Sequence, residues 1–179
     1  NNGRYRLYSE IAPWISIPGI LGKDFESKLL RDFSFETQLN LGVNYFAGLV
    51  GAGVTFNTPL DRTLKISAYW RRDNIKENTM QITGVFDYPI VKKWGLRLQG
   101  FFDLIPYAKN REAFGSTVLG TDFLSQARVL WDIGSSTVFK NDENTTLEIG
   151  IDVYMHFNKE LAKNDIYTVV PQPCVRLTF

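Results

Sequence analysis

The sequence predicts an all-β fold, an antiparallel up-and-down transmembrane β-barrel, and three observations carry that reading. Apolar residues recur at every second position through nine successive segments, the period of a strand and not the 3.6-residue period of a helix. The apolar rows supply about 45 side chains, many of them Leu, Ile, Phe and Trp, whereas a barrel of about eight strands has an interior just filled by its own lining. Those rows therefore belong outside against lipid, and the polar rows inside against water. Finally, no stretch reaches the roughly 18 near-continuous apolar residues of a membrane helix. The nearest, residues 37–60, alternates, and it holds Gln38, Asn40, Asn44, Asn57, Gly42, Gly48, Gly51 and Gly53.

Taken in order, residues 4–17 set Tyr5, Leu7, Ile11, Ile15 and Ile17 against Arg4, Arg6, Glu10 and Ser16. Residues 29–41 set Phe33, Phe35, Leu39 and Leu41 against Asp32, Ser34, Glu36, Gln38 and Asn40. Residues 45–56 align Phe46, Val50, Val54 and Phe56 opposite the small Ala47, Gly51 and Gly53. In 63–71, Leu64, Ile66, Ala68 and Trp70 oppose Lys65, Ser67, Tyr69 and Arg71; in 80–88, Met80, Ile82, Phe86 and Tyr88 oppose Gln81, Thr83 and Asp87. Residues 94–104 set Trp94, Leu96, Leu98, Phe102 and Leu104 against Arg97, Gln99, Phe101 and Asp103. Residues 119–133 set Leu119, Phe123, Val129, Trp131 and Ile133 against Asp122, Gln126, Arg128 and Asp132. Residues 147–157 set Leu147, Ile149, Ile151, Val153, Met155 and Phe157 against Glu148, Asp152, Tyr154 and His156. The last, 167–179, sets Tyr167, Val169, Val175, Leu177 and Phe179 against Thr168, Gln172, Cys174 and Arg176.

Turn chemistry separates these segments: Pro18-Gly19, Asn57-Thr58-Pro59, Asp73-Asn74, Lys92-Lys93, Gly115-Ser116, Gly134-Ser135 and residues 141–144. Residues 158–163 fit one helical turn in a loop. The 179 residues suit a single domain, 1–179, and contain no internal repeat or linker. A formal net charge of +1 gives no electrostatic case for a nucleic-acid polymer. With one cysteine, Cys174, and one histidine, His156, a disulfide framework and a Cys-rich zinc site are excluded, and neither a metal nor a cofactor is expected. The start of the chain shows no basic-then-apolar signal segment.

Trp70, Trp94 and Trp131, with Tyr88, Phe157 and Tyr167, fall on apolar rows near segment ends, where interfacial aromatic girdles belong. The alternating end Val175-Arg176-Leu177-Thr178-Phe179 resembles the signal by which the barrel-assembly machinery recognises outer-membrane barrels. Such barrels start and finish on the periplasmic side with an even strand count. Counting back from Phe179 puts residue 1 on the wrong side, so an odd number of strands is expected to precede it, or one segment is really two. Pro171 and Pro173 remove two ladder donors from one side of the last segment and argue for an edge, a bulge or a seam.

The residues themselves resemble the nucleoside-specific channel (Tsx-like) outer-membrane family. The likeness is carried by Tyr8-Ser-Glu-Ile-Ala-Pro-Trp-Ile-Ser, Arg31-Asp-Phe-Ser-Phe-Glu, Tyr45-Phe-Ala-Gly-Leu-Val-Gly-Ala-Gly, Phe86-Asp-Tyr-Pro-Ile with Trp94-Gly-Leu, and Gly100-Phe-Phe-Asp. It runs across most segments and fails in the loops. It implies a twelve-stranded narrow channel in the bacterial outer membrane, of which about nine strands are visible here, passing nucleosides through an aromatic and ionisable lumen.

On the residues alone, the expected solute path is the polar row: Glu36, Tyr69, Arg71, Arg97, Phe101, Asp103, Asp122, Arg128, Asp152 and Tyr154. Aromatic faces stack on flat rings, while carboxylates and guanidinium groups take hydroxyls and ring nitrogens. The competing readings are a salt-bridge lattice that plugs the barrel, a soluble lipocalin-like carrier, and a lipid-hydrolysing barrel in which His156 activates Ser67 or Ser125. Gly48, Gly51 and Gly53 lack phosphate-loop spacing and read as a strand bend or a tightly packed wall. Asp142-Glu143 lacks the spacing of a calcium loop, and Asn144-Thr145-Thr146 fits a glycosylation acceptor by letter only.

Overall fold

The structure is a computed structural model, and it describes residues 8–22, 27–43, 45–58, 62–109, 119–133, 146–159 and 166–178. The alternating segments form β1 (Tyr8–Ile11), β2 (Trp14–Ser16), β3 (Leu30–Gly42), β4 (Tyr45–Phe56), β5 (Thr63–Asp73), β6 (Thr79–Val91), β7 (Leu96–Lys109), β8 (Leu119–Asp132), β9 (Thr146–Lys159) and β10 (Ile166–Thr178). All ten strands lie in one antiparallel sheet, and from β3 to β10 each strand pairs with the next in sequence.

β1 and β2 both pair with β3, end to end: Ile11 stands opposite Leu39 and Trp14 opposite Glu36. They are one pass interrupted at Ala12-Pro13, since Pro13 has no N–H to give. Its carbonyl still accepts from Thr37 N at 3.1 Å, which carries the register across the gap. The break adds no crossing, so it does not resolve the parity conflict.

Three stretches differ from the sequence reading. Ile17 opens a one-turn helix, α1 (Ile17–Leu21), instead of closing a strand. Ser16 Oγ accepts from Gly19 N at 3.1 Å, Pro18 sits in the first turn, and Gly22 ends it at φ 60°. Trp94 lies in a 3₁₀ turn, Lys92–Trp94, closed by Gly95 at φ 65°, and the strand begins two residues later. Asn158 and Lys159 extend β9, so they are not a helical turn, and residues 160–163 lie outside the described set. So do residues 1–7, Gly115-Ser116, Gly134-Ser135, residues 141–145 and Phe179.

The faces divide by polarity, and in the reverse of the water-soluble order. Glu148 and Asp152 are 2% and 4% exposed, whereas their strand neighbours Ile149 and Ile151 are 37% and 57% exposed. Among the described residues, eleven polar or charged residues are buried against six hydrophobic ones. Hydrophobic residues normally dominate the buried set, and charged ones almost never enter it without a partner. The apolar core is correspondingly slight: Ala47, Leu49 and Tyr69 in one cluster, Ile105 and Ala108 in another.

On the outward face, eight exposed aromatics lie towards the two ends of the strands, while Phe35 lies nearer the middle of β3. Phe33, Tyr88, Trp94 and Trp131 lie at one end, and Phe46, Trp70, Tyr107 and Tyr167 at the other. Phe157, predicted among them, is half-buried between Phe123 and Tyr167, with ring centroids 5.9 Å away on each side. On the same face Phe102 of β7 lies over Gly84 of β6, and Phe86 of β6 over Gly100 of β7. Each ring fills the space its opposite glycine leaves open. Pro171 and Pro173 stand in β10, which among the described residues pairs only with β9, so they occupy the sheet edge as expected.

Candidate solute path on the inner face

The inward rows bring three polar groupings together, because residues directly opposite in an antiparallel ladder point to the same side. The first centres on Glu36. Ser34 Oγ donates to Glu36 Oε1 at 2.6 Å, Tyr69 Oη donates to Oε2, and Lys65 Nζ lies 2.7 Å from Oε1. Lys65 Nζ also stands over the Trp14 ring, 5.5 Å from its centroid.

Space for Glu36 is provided by the strand beside it. A Cβ at Gly53 would sit 1.9 Å from Glu36 Oε1 and 2.7 Å from Ser67 Oγ. At Gly51 it would meet the Ala68 carbonyl oxygen at 2.1 Å, so Gly51 and Gly53 form a tightly packed wall, whereas a Cβ at Gly48 would meet only Phe46, at 3.8 Å. Gly53→Val is accordingly expected to lower stability by about 1–3 kcal/mol through overpacking. A urea titration of the folded protein measures it, and an unchanged midpoint would refute the steric account.

The second grouping lies at the end where β5 turns into β6. Arg71 Nε donates to Asp73 Oδ2 at 2.9 Å, Nη1 to Gln81 Oε1 at 2.5 Å, and Nη2 to Tyr45 Oη. Asp73 Oδ1 in turn accepts from Ile75 N at 2.8 Å and from Lys76 N, which folds the predicted Asp73-Asn74 turn. Lys76 Nζ reaches across to Asp122 Oδ2 at 2.6 Å, and His156 Nε2 lies 2.8 Å from Asp122 Oδ1.

The third grouping occupies the opposite end. Arg97 pairs with Asp87 at 2.6 Å and with Glu148 at 3.4 Å, and Arg128 pairs with Asp152 at 3.1 Å. Gln126 Nε2 also donates to Asp152 at 2.5 Å. Arg176 of β10 meets Glu148 at 3.6 Å and Gln99 Oε1 at 2.6 Å. Arg97–Asp87, Arg128–Asp152 and Arg176–Glu148 pair across neighbouring strands, as their mixing along the rows implied, and Arg97–Glu148 reaches over β8 from β7 to β9.

Between the groupings lie two cavities. One, of about 450 Å³, is walled by Phe101, Gln99, Gln126, Arg128, Asp103 and Arg176, and Glu10 of β1 reaches it from the other edge of the sheet. The second, of about 320 Å³, is walled by Tyr45, Arg71, Lys76, Asp122, Tyr154 and His156, again with Asp103. Both fall in or near the range of small-molecule sites.

The ten predicted path residues separate accordingly. Phe101, Asp103 and Arg128 face the larger cavity; Arg71, Asp103, Asp122 and Tyr154 face the smaller. Glu36, Tyr69, Arg97 and Asp152 stand in the supporting hydrogen-bond and ion-pair network. Gln99, Gln126 and Arg176 share the polar parity and were legible as wall residues on that ground. Trp14 was obscured by the break at Pro13, and Lys76, which lies in a turn, had no periodic signal.

His156 is engaged with Asp122, whereas Ser67 lies beside Glu36 and Ser125 Oγ donates to the Phe101 carbonyl at 3.0 Å. Neither serine meets the histidine. Among the described residues no group of three His, Cys, Asp or Glu side chains is placed to hold a metal ion. In comparisons with family models, curated proteins and solved structures, no match to this chain was found.

Proposed function

We propose that the chain is an outer-membrane β-barrel channel through which nucleosides or similar small polar solutes pass by diffusion. The observation that carries this is the inverted orientation: Glu148 and Asp152 buried, Ile149 and Ile151 exposed on the same strand. A sheet of this kind is stable where lipid covers the apolar face and water fills the polar one. Strands β3 to β10 run 11 to 14 residues, against about 9–11 needed to cross a bilayer at a tilt. The two aromatic bands suit the headgroup levels on either side.

Closure into a barrel belongs to the same reading, supported by the way β1 and β10, the two sheet edges, contribute Glu10 and Arg176 to one cavity. Phe101 and Tyr154 offer ring faces to a flat solute, with amides and charged groups beside them for its polar edge. Weak, repeated contacts of this sort let a solute leave as readily as it enters. Residence in the bacterial outer membrane, recognition by the assembly machinery through Phe179, and the likeness to nucleoside-specific channels are parts of the proposal.

Planar-bilayer conductance of the full-length gene product tests it. Conductance that adenosine blocks and a sugar does not is the expected result. Absence of conductance would refute the channel, and solubility without detergent would favour a carrier instead.

A further inference from the structure

Asp103 lines both cavities and so stands where a solute would pass from one to the other. The cations around it are matched by carboxylates of their own. Arg128 has Asp152 at 3.1 Å, Arg176 has Glu148 at 3.6 Å, Arg71 has Asp73 at 2.9 Å, and Lys76 has Asp122 at 2.6 Å. Asp103 instead takes its contact from a neutral hydroxyl, Thr83 Oγ1 at 2.6 Å. Among the described residues no lysine or arginine nitrogen is in ion-pair contact with it.

A chain of donors runs toward this carboxylate. Arg71 Nη1 donates to Gln81 Oε1 at 2.5 Å, Gln81 Nε2 to Thr83 Oγ1 at 3.0 Å, and Thr83 Oγ1 to Asp103 Oδ1 at 2.6 Å. Every hop delivers a proton donor, so the chain ends on a group required to accept. Charges already paired within the wall present little net field to a passing ion, whereas a carboxylate with no lysine or arginine in ion-pair contact, lining both cavities, repels anions and attracts cations.

We propose that Asp103 sets the charge preference of the path, making it select cations and solutes with a cationic or strongly donating group over anions. This rests on the channel reading above and deepens it. The Thr83–Gln81–Arg71 chain holds the carboxylate in place at the junction.

The test is the potassium-to-chloride permeability ratio of the purified full-length protein in planar bilayers, read from the reversal potential across a KCl gradient. A ratio above one is expected, falling about fivefold in Asp103→Asn and retained in Asp103→Glu. An anion-selective or unselective native channel would overturn the proposal without any variant. So would an Asp103→Asn channel that still conducts with an unchanged ratio. Failure of the native protein to conduct would instead remove the channel reading itself.

Discussion

Replacing Ile151 by arginine is expected to cost about 2–4 kcal/mol of folding stability in a bilayer, the range for a cation at the midplane on the lipid face of a transmembrane strand. Ile151 lies near the middle of β9 and is 57% exposed on the outward row. In a water-soluble sheet an exposed isoleucine exchanged for arginine stays within about 0.5 kcal/mol. The two environments therefore predict different outcomes for one substitution. Urea unfolding in lipid vesicles measures it, and a shift below about 0.5 kcal/mol would speak against lipid contact at this position.

Asp73→Ala is expected to cost about 3–5 kcal/mol, because it strands a guanidinium whose partner has gone. The Arg71 and Asp73 side chains are 8% and 1% exposed, so water does not replace the lost carboxylate. The same change removes the acceptor for Ile75 N and Lys76 N, loosening the turn that aims Lys76 at Asp122. Arg71→Met together with Asp73→Leu, which removes both charges, is expected to lose less than the single change. If the double variant is the less stable in the same titration, the stranded charge is not the cause.

The strand content was legible because the period of two is a local property: each segment declares its rows without reference to its neighbours. Facing was legible too, since the apolar rows outnumber the places inside a small barrel. What escaped was whatever depends on contacts between segments. Ser16 both caps α1 and donates to Asp32 at 2.8 Å, a tie across 16 residues that no periodicity announces. Trp94 keeps its exposure yet sits in a turn, because Gly95 at positive φ closes the chain before the strand begins. In the site, parity named the wall residues but could not sort them. Asp152 and Glu36 are drawn back into ion pairs by Arg128 and Lys65, while Asp103 on the same kind of row is left at the junction.

The most direct measurement is a spin-label scan of residues 147–157, one site at a time, with Cys174 replaced by serine and the protein in lipid vesicles. Collision with oxygen, which concentrates in the acyl region, is compared with collision with a water-soluble nickel chelate. The orientation described here predicts oxygen maxima at 147, 149, 151, 153 and 155, with nickel favoured at 148, 150, 152 and 154. Uniform nickel access at the odd positions, or odd positions shielded from both probes, would contradict it.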